Sequence, residues 1–287
     1  MESQSAMDVS TFLVLIGCAA ATALLNCALK HRRDPFMGAL LLAVCGGASA
    51  LPLLFMTGMP SAQSLPFLAV SVILALHYWV FLGKAYEAGD VGLVFPLAYG
   101  SAPALVLVLS SLFVREHPTG GQLAVILLVT AGLMLVFFSG AGLTALANRR
   151  MLIHCAALIA VICAYTIIDA LGARLSGSPL AYTAAIYAGN CFATLVYGLL
   201  RHRPRLVSAA VSGWRPAMFW GAASMFIYSG ELWAMTRAPI ALVAALRESS
   251  ILFAAVFAVI LLKEPLRPGR MAGAGVVALG LMMMRLA

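Results

Sequence analysis

The strongest constraint on this chain is its succession of apolar runs, each about 20 residues long, the length a helix needs to cross a hydrocarbon core roughly 30 Å thick. Short polar punctuation separates them: His31-Arg32-Arg33-Asp34-Pro35, Gly58-Met59-Pro60, Gly89-Asp90, His117-Pro118, Asn148-Arg149-Arg150, Gly177-Ser178-Pro179 and Arg203-Pro204. The runs predict helices near Val9–Leu29, Phe36–Met56, Pro66–Ala88, Val91–Val114, Gly121–Gly140, Met151–Ala173, Leu180–Leu200, Pro216–Met235, Pro239–Leu262 and Met271–Leu286. With 63% apolar and 10% charged residues, against about a quarter charged in soluble domains, most of the surface must face lipid. A spanning segment has to satisfy its backbone internally, and continuous apolar runs lack the alternation of a barrel. The expected fold class is therefore an all-α membrane protein with ten transmembrane helices.

The formal charge of +8 does not point to nucleic acid, because the cations sit in short clusters between apolar runs and form no basic face. Cys18, Cys27, Cys45, Cys155, Cys163 and Cys191 all fall inside apolar runs, with no C-x-x-C pair and no histidine at ligand spacing. They read as small packing residues, and no metal is expected. No Walker motif or other cofactor motif appears, so no cofactor is expected and any energy should come from gradients. The first ten residues hold Glu2 and Asp8 but no Lys or Arg, so the first run is expected to persist as a helix rather than serve as a signal peptide.

The chain also repeats. Sliding it by 148 residues aligns Ser101 with Ser249, Val108 with Val256, Glu116 with Glu264, Gly121 with Gly269, Ala124 with Ala272, Val129 with Val277 and Gly132-Leu133-Met134 with Gly280-Leu281-Met282. The match joins helices four and five to helices nine and ten, which gives two five-helix repeats, residues 9–140 and 151–286. An odd number of spans inverts the second repeat relative to the first, an arrangement transporters use to build a site at the midplane. Orientation follows from the cations. Lys30, Arg32, Arg33, Arg149, Arg150, Arg201, Arg203, Arg205, Arg215, Lys263, Arg267 and Arg270 collect on one side, against Arg115, Arg174, Arg237 and Arg285 on the other. The richer side is expected to be cytoplasmic, which places both termini outside.

A repeated five-helix unit with a Glu just after its fourth helix and a Gly-rich fifth helix resembles the EamA domain of the drug/metabolite transporter superfamily, over essentially the whole chain. Asn26-x-x-x-Lys30, Ala85-Tyr86-x-x-Gly89-Asp90, Pro96-Leu97-Ala98-x-Gly100-x-x-Pro103, Tyr165-Thr166-x-x-Asp169-x-x-Gly172 and Leu246-Arg247-Glu248-x-Ser250 are similar to a bacterial subgroup, some members of which are named phosphonate-utilisation-associated membrane proteins. In that subgroup an Arg usually precedes the Gly of the fourth helix; here Tyr99 stands there. The resemblance implies a ten-helix inner-membrane carrier with a central cavity, moving amino acids, nucleotide precursors, sugars or similar metabolites, often outward.

An ionisable side chain at membrane depth costs about 2.5–3.5 kcal/mol on the insertion scale, so each is a functional candidate. Arg247 and Glu248 lie a third of the way along the ninth helix, Asp169 near the end of the sixth, Glu231 toward the end of the eighth, His77 in the third and Lys84 near that helix's end. Lys84 can snorkel, His77 can serve as a neutral interhelix residue, and Asn26 and Asn190 can act as hydrogen-bond glue. Asp169 and Glu231 are close enough to helix ends for interfacial solvation to be an alternative. Arg247 cannot shed its charge. It either locks helix register in a buried ion pair or is offered to a substrate carboxylate or phosphate. Glu248 is about 100° around the helix, so Asp169 or Glu231 is the expected partner of Arg247, with Glu248 free to take a coupling proton. Tyr99 and Tyr165 complete the candidate substrate-binding set.

An embedded lipid-processing enzyme would need a convergent catalytic set, and His31, His77, His117, His154 and His202 are scattered over different helices. No catalytic residues are expected. Flipping of a lipid-linked sugar is a variant of the transport reading. The expected partners are a small-molecule substrate and membrane lipids. Gly269-x-x-x-Gly273 has helix-packing spacing, used within a monomer or, as the lesser alternative, in a homodimer.

Overall fold

The computed structural model describes residues 7–30, 35–89, 91–141, 147–260 and 268–283. Among them there is no strand. The elements are α1 (Val9–Lys30), α2 (Pro35–Thr57), a 3₁₀ turn (Ala62–Ser64), α3 (Leu65–Ala88), α4 (Val91–Leu109) continued by a π turn (Ser110–Val114), α5 (Gly120–Ala141), α6 (Arg149–Leu175), α7 (Pro179–Met235), α8 (Ile240–Arg247), α9 (Ser250–Ile260) and α10 (Pro268–Met283). Among the described residues, seven helices are long and apolar enough to cross a membrane. Phe55, Met56, Leu112, Phe113, Phe192, Leu200, Phe219 and Phe226 are exposed, a surface suited to lipid contact. Of the residues read from sequence, Arg32, Arg33, Asp34, Asp90, Lys263, Glu264, Arg267, Arg285 and the side chains of Lys30 and Arg270 lie outside the described residues.

Two elements differ from the sequence expectation. The predicted seventh and eighth helices run together as the 57-residue α7, in which only His202 (φ −138°, ψ 26°) and Gly213 (φ −151°, ψ 19°) leave the helical region. Pro204 and Pro216 each fall in the first turn after a break, where a missing N–H has no helical partner to lose. The connector therefore stays helical, with Arg203, Arg205 and Arg215 exposed along it. The predicted ninth helix is interrupted at Glu248–Ser249, which separates α8 from α9.

The chain forms two compact units, and each draws elements from both sequence halves. The first comprises Met1–Leu24, Val80–Ile167 and Arg237–Ala287, the second Leu25–Trp79 and Ile168–Thr236. In the first unit α5 packs along α10. A Cβ on Gly132 would stand 2.8 Å from the Gly273 carbonyl oxygen, and Gly269 abuts Ser139 while Gly280 abuts Val129. Residue numbers rise on α5 as they fall on α10, so these repeat-equivalent helices run antiparallel. Gly269 and Gly273 thus use their spacing within one chain. In the second unit α2 is held by both ends of α7: Cys191 lies against Val44 and Ala184 against Ala50, an antiparallel pair, whereas Gly221 meets Gly46 and Met225 meets Ala50 in parallel. A Cβ on Gly46 would come within 2.9 Å of the Gly221 carbonyl oxygen, so a larger side chain there forces the helices apart.

Helix ends are satisfied locally, as buried backbone groups require. Thr119 and Gln122 form a reciprocal capping box at the start of α5 (3.2 and 3.1 Å). Asn148 accepts from Met151 N–H at 3.1 Å while donating to the Ala88 carbonyl at 2.6 Å, capping the start of α6 and the end of α3 together. In the second unit Ser61 donates to the Leu175 carbonyl at 2.6 Å, and Arg174 Nε to the Met235 carbonyl at 2.9 Å.

Candidate functional site

The first unit builds its polar centre on the short helix α8. Pro239, which precedes it, supplies no side-chain cap; the cap comes instead from Glu116, whose Oε2 accepts the Ile240 N–H at 2.8 Å. The local backbone explains the reach. α4 ends in the π turn, and Arg115 then adopts left-handed φ, ψ of 59°, 34°, so that Arg115 faces outward while Glu116 turns inward to 5% exposure. The helix that follows Glu116 in the chain is α5. The capping box of α5 already serves that helix, and the carboxylate goes to α8 because its N-terminus is buried without an acceptor. Glu116 follows α4 and its π turn and Ile240 opens α8, so the end of one meets the start of the other. This is the antiparallel relation seen between α5 and α10.

Every residue from Ile240 to Ser250 is buried. At the far end of α8 the ladder tightens to three-residue spacing: Glu248 and Ser249 donate to Ala245 and Leu246, and Ile251 and Leu252 to Glu248 and Ser249, at 2.9–3.2 Å. A 3₁₀ stretch inside a span marks a hinge or a strained site. It also corrects the expected side-chain geometry, because Arg247 Nε meets Glu248 Oε1 at 3.2 Å. The two had been expected to face apart on a regular helix; the helix ends at Arg247, and the turn brings its neighbour round. The pair is 9% and 4% exposed, so its attraction is little screened. Packed against α8 are α4, which carries the half-buried Tyr99, and α5. Cys163 of α6 lies within electrostatic reach of Arg247 and donates a long contact to the Ala102 carbonyl on α4.

The second unit holds a separate polar cluster around Asp169. At 2% exposure, Asp169 is enclosed rather than interfacially solvated. Tyr228 donates to its Oδ2 and Ser71 also hydrogen-bonds the carboxyl. Oδ1 is buried with no hydrogen-bond partner. Among the described residues, then, hydroxyls hold Asp169. Tyr182 is fully buried with its hydroxyl unpartnered, pressed so closely on Gly172 that a Cβ there would stand 2.0 Å from the oxygen. Tyr187 stacks obliquely on Tyr228, ring centroids 6.3 Å apart. Neither Tyr182 nor Tyr228 was picked out from sequence; polar side chains within apolar runs were the available signal.

The other candidates are distributed as follows. Glu231 is buried near the end of α7, while Tyr165 and Asn26 are half-buried on α6 and α1. His77 is exposed and its Nδ1 bonds the Ile73 carbonyl of its own helix at 2.8 Å. Asn190 accepts from Thr194 one turn on at 2.9 Å. Lys84 is exposed, its Nζ 5.9 Å from the Phe81 ring centroid, in keeping with snorkelling.

The sequence matches the EamA-like transporter family over residues 7–138 and again over residues 150–286. The chain belongs to this family. No curated protein matches the sequence. A crystal structure of another protein is similar over 96% of this chain and 98% of that one, with a TM-score of 0.74 and 17% identity; at that identity the likeness concerns the fold alone. As an EamA-like transporter family member, the protein is a multi-pass membrane protein, and the family expectation drawn from its repeats stands.

Proposed function

We propose that this EamA-like protein carries a small polar metabolite across the bacterial inner membrane by alternating access, in the outward direction. The substrate class is an amino acid, organic anion, nucleoside or sugar-like solute. Ten spans result when α1 to α6 count once each, α7 counts as two about its breaks, α8 and α9 count as one interrupted span, and α10 completes the set. Two inverted repeats, 9–140 and 151–286, put both termini on one side, and the Lys/Arg distribution favours the periplasm for that side. The observation that carries the reading is the buried Arg247–Glu248 pair at the interruption of the ninth span, because carriers form substrate sites at discontinuous helices of inverted repeats. Helix interruption frees backbone groups for a ligand, and an Arg there offers a planar fork to a carboxylate or phosphate. Tyr99, the repeat counterpart of Arg247, supplies an aromatic wall, with Tyr165 as a further contact.

The test is a thermal-stabilisation screen of the purified protein against amino acids, nucleosides, sugars and phosphonates. A ligand at a hundred times its Kd stabilises the folded state by about 2.7 kcal/mol. The expected result is a raised Tm with one chemical class, lost in Arg247→Ala. Stabilisation that survives Arg247→Ala unchanged removes this site from the reading.

A further inference from the structure

We infer that Asp169 is a proton-binding site of the transport cycle, its Oδ1 taking up and releasing the proton while Tyr228 and Ser71 hold the carboxyl in place; this rests on the transport reading above. Among the described residues of the second unit, two buried oxygens lack partners, Asp169 Oδ1 and the Tyr182 hydroxyl, and Tyr182 lies within electrostatic reach of Asp169. Gly172, against which the Tyr182 hydroxyl is pressed, lies three residues beyond Asp169 and so on the same face of α6. A buried carboxylate with one oxygen left unsatisfied by the surrounding protein groups is a half-completed network, and such networks are costly. A proton on Oδ1 removes the charge and creates a donor in a region that also holds the unpartnered Tyr182 oxygen.

The groups facing Asp169 support a proton over a fixed counter-charge. The α3 contribution is the Ser71 hydroxyl, and α7 brings the hydroxyls of Tyr182 and Tyr228. No Lys or Arg pairs with Asp169 among the described residues. Glu248, the other buried carboxyl considered for this task, already accepts from the Arg247 guanidinium. The groups around Asp169, by contrast, are neutral hydroxyls, which can accept from a protonated carboxyl as well as donate to a carboxylate. The balance is simple: a proton from water on one side adds to Oδ1, the O–H bond breaks when the site opens to the other side, and the carboxylate returns with Tyr228 still donating to Oδ2.

Infrared difference spectroscopy on the full-length protein, stepped from acid to alkaline buffer, reads this without a substrate. The expected result is a titrating carboxylic C=O band that is absent in Asp169→Asn and shifted in Tyr228→Phe, which folds but loses one hydrogen bond to the carboxyl. A titrating band that persists in Asp169→Asn, or a wild-type spectrum that responds to sodium and not to pH, overturns the assignment. In proteoliposomes loaded with a pH-sensitive dye and challenged with a mixture of common amino acids, wild-type solute flux is expected to carry protons and Asp169→Asn to lose the proton signal. Solute flux in the wild type with no proton signal also overturns it. Absence of flux with the Asp169 band intact instead counts against the transport reading alone.

Discussion

Replacing Glu116 with alanine removes an acceptor that lies 124 residues from the N–H it satisfies, and the cost can be worked from the burial of both groups. The Ile240 N–H would be left in a buried helix start with no partner, about 1–3 kcal/mol. The lost anion at the α8 N-terminus adds roughly 0.3–1 kcal/mol through the helix dipole. Together these give about 1–4 kcal/mol, and at roughly 2–4 °C per kcal/mol for a large domain the Tm should fall by about 3–16 °C. Glutamine keeps an acceptor oxygen and forfeits only the charge, so Glu116→Gln should lose about 1–3 °C. Because α8 is eight residues long, a loosened start also shifts Arg247 at its other end, and ligand stabilisation should weaken in step with the Tm. Thermal unfolding of both variants in the same detergent checks the order. An alanine variant as stable as wild type would mean the buried carboxylate costs as much as it contributes, and the capping argument would fail. Unchanged stability with altered ligand preference would instead move Glu116 into the substrate path.

Further outcomes follow from other contacts. Arg247→Lys keeps the charge but loses the planar fork, so ligand affinity should drop about tenfold or more while the protein still folds; a wild-type Kd in titration would leave Arg247 as scaffold. Arg247→Ala should destabilise more than Arg247→Ala/Glu248→Gln, because the double variant does not leave Glu248 as an unpaired buried charge, a relation that melting temperatures test directly. Gly46→Leu meets the Gly221 backbone and should destabilise by about 1–3 kcal/mol or more through overpacking, whereas Gly17→Leu, with open space around it, should be tolerated; equal expression and Tm for the two would refute the close-approach reading. An Arg203→Cys protein in intact cells should resist an impermeant thiol reagent until the membrane is opened, and labelling from outside would reverse the proposed orientation.

The fold class was legible because lipid imposes a coarse rule on sequence. Each crossing needs a run of fixed length, and the runs from Val9 to Ala173 appear as helices close to their predicted bounds. The internal repeat was legible from nine matched positions, among them Glu116, Gly121 and Gly132. The polar candidates stood out because an Arg or Asp inside an apolar run is expensive enough to be noticed. What the sequence could not supply was the partner of each polar atom, since partners are set by helix pairing at long separation. Only the tertiary structure placed Glu116 on the Ile240 N–H, gave Asp169 hydroxyls from Ser71 and Tyr228, and set Gly132 against Gly273. Periodicity likewise assumes 100° per residue. It therefore turned Arg247 and Glu248 apart, while the 3₁₀ turn at Glu248–Ser249, a local departure that buried packing decides, brought them together. The sequence determined that the chain crosses a membrane as paired apolar helices; the geometry of close helix contacts decided which polar groups meet inside it.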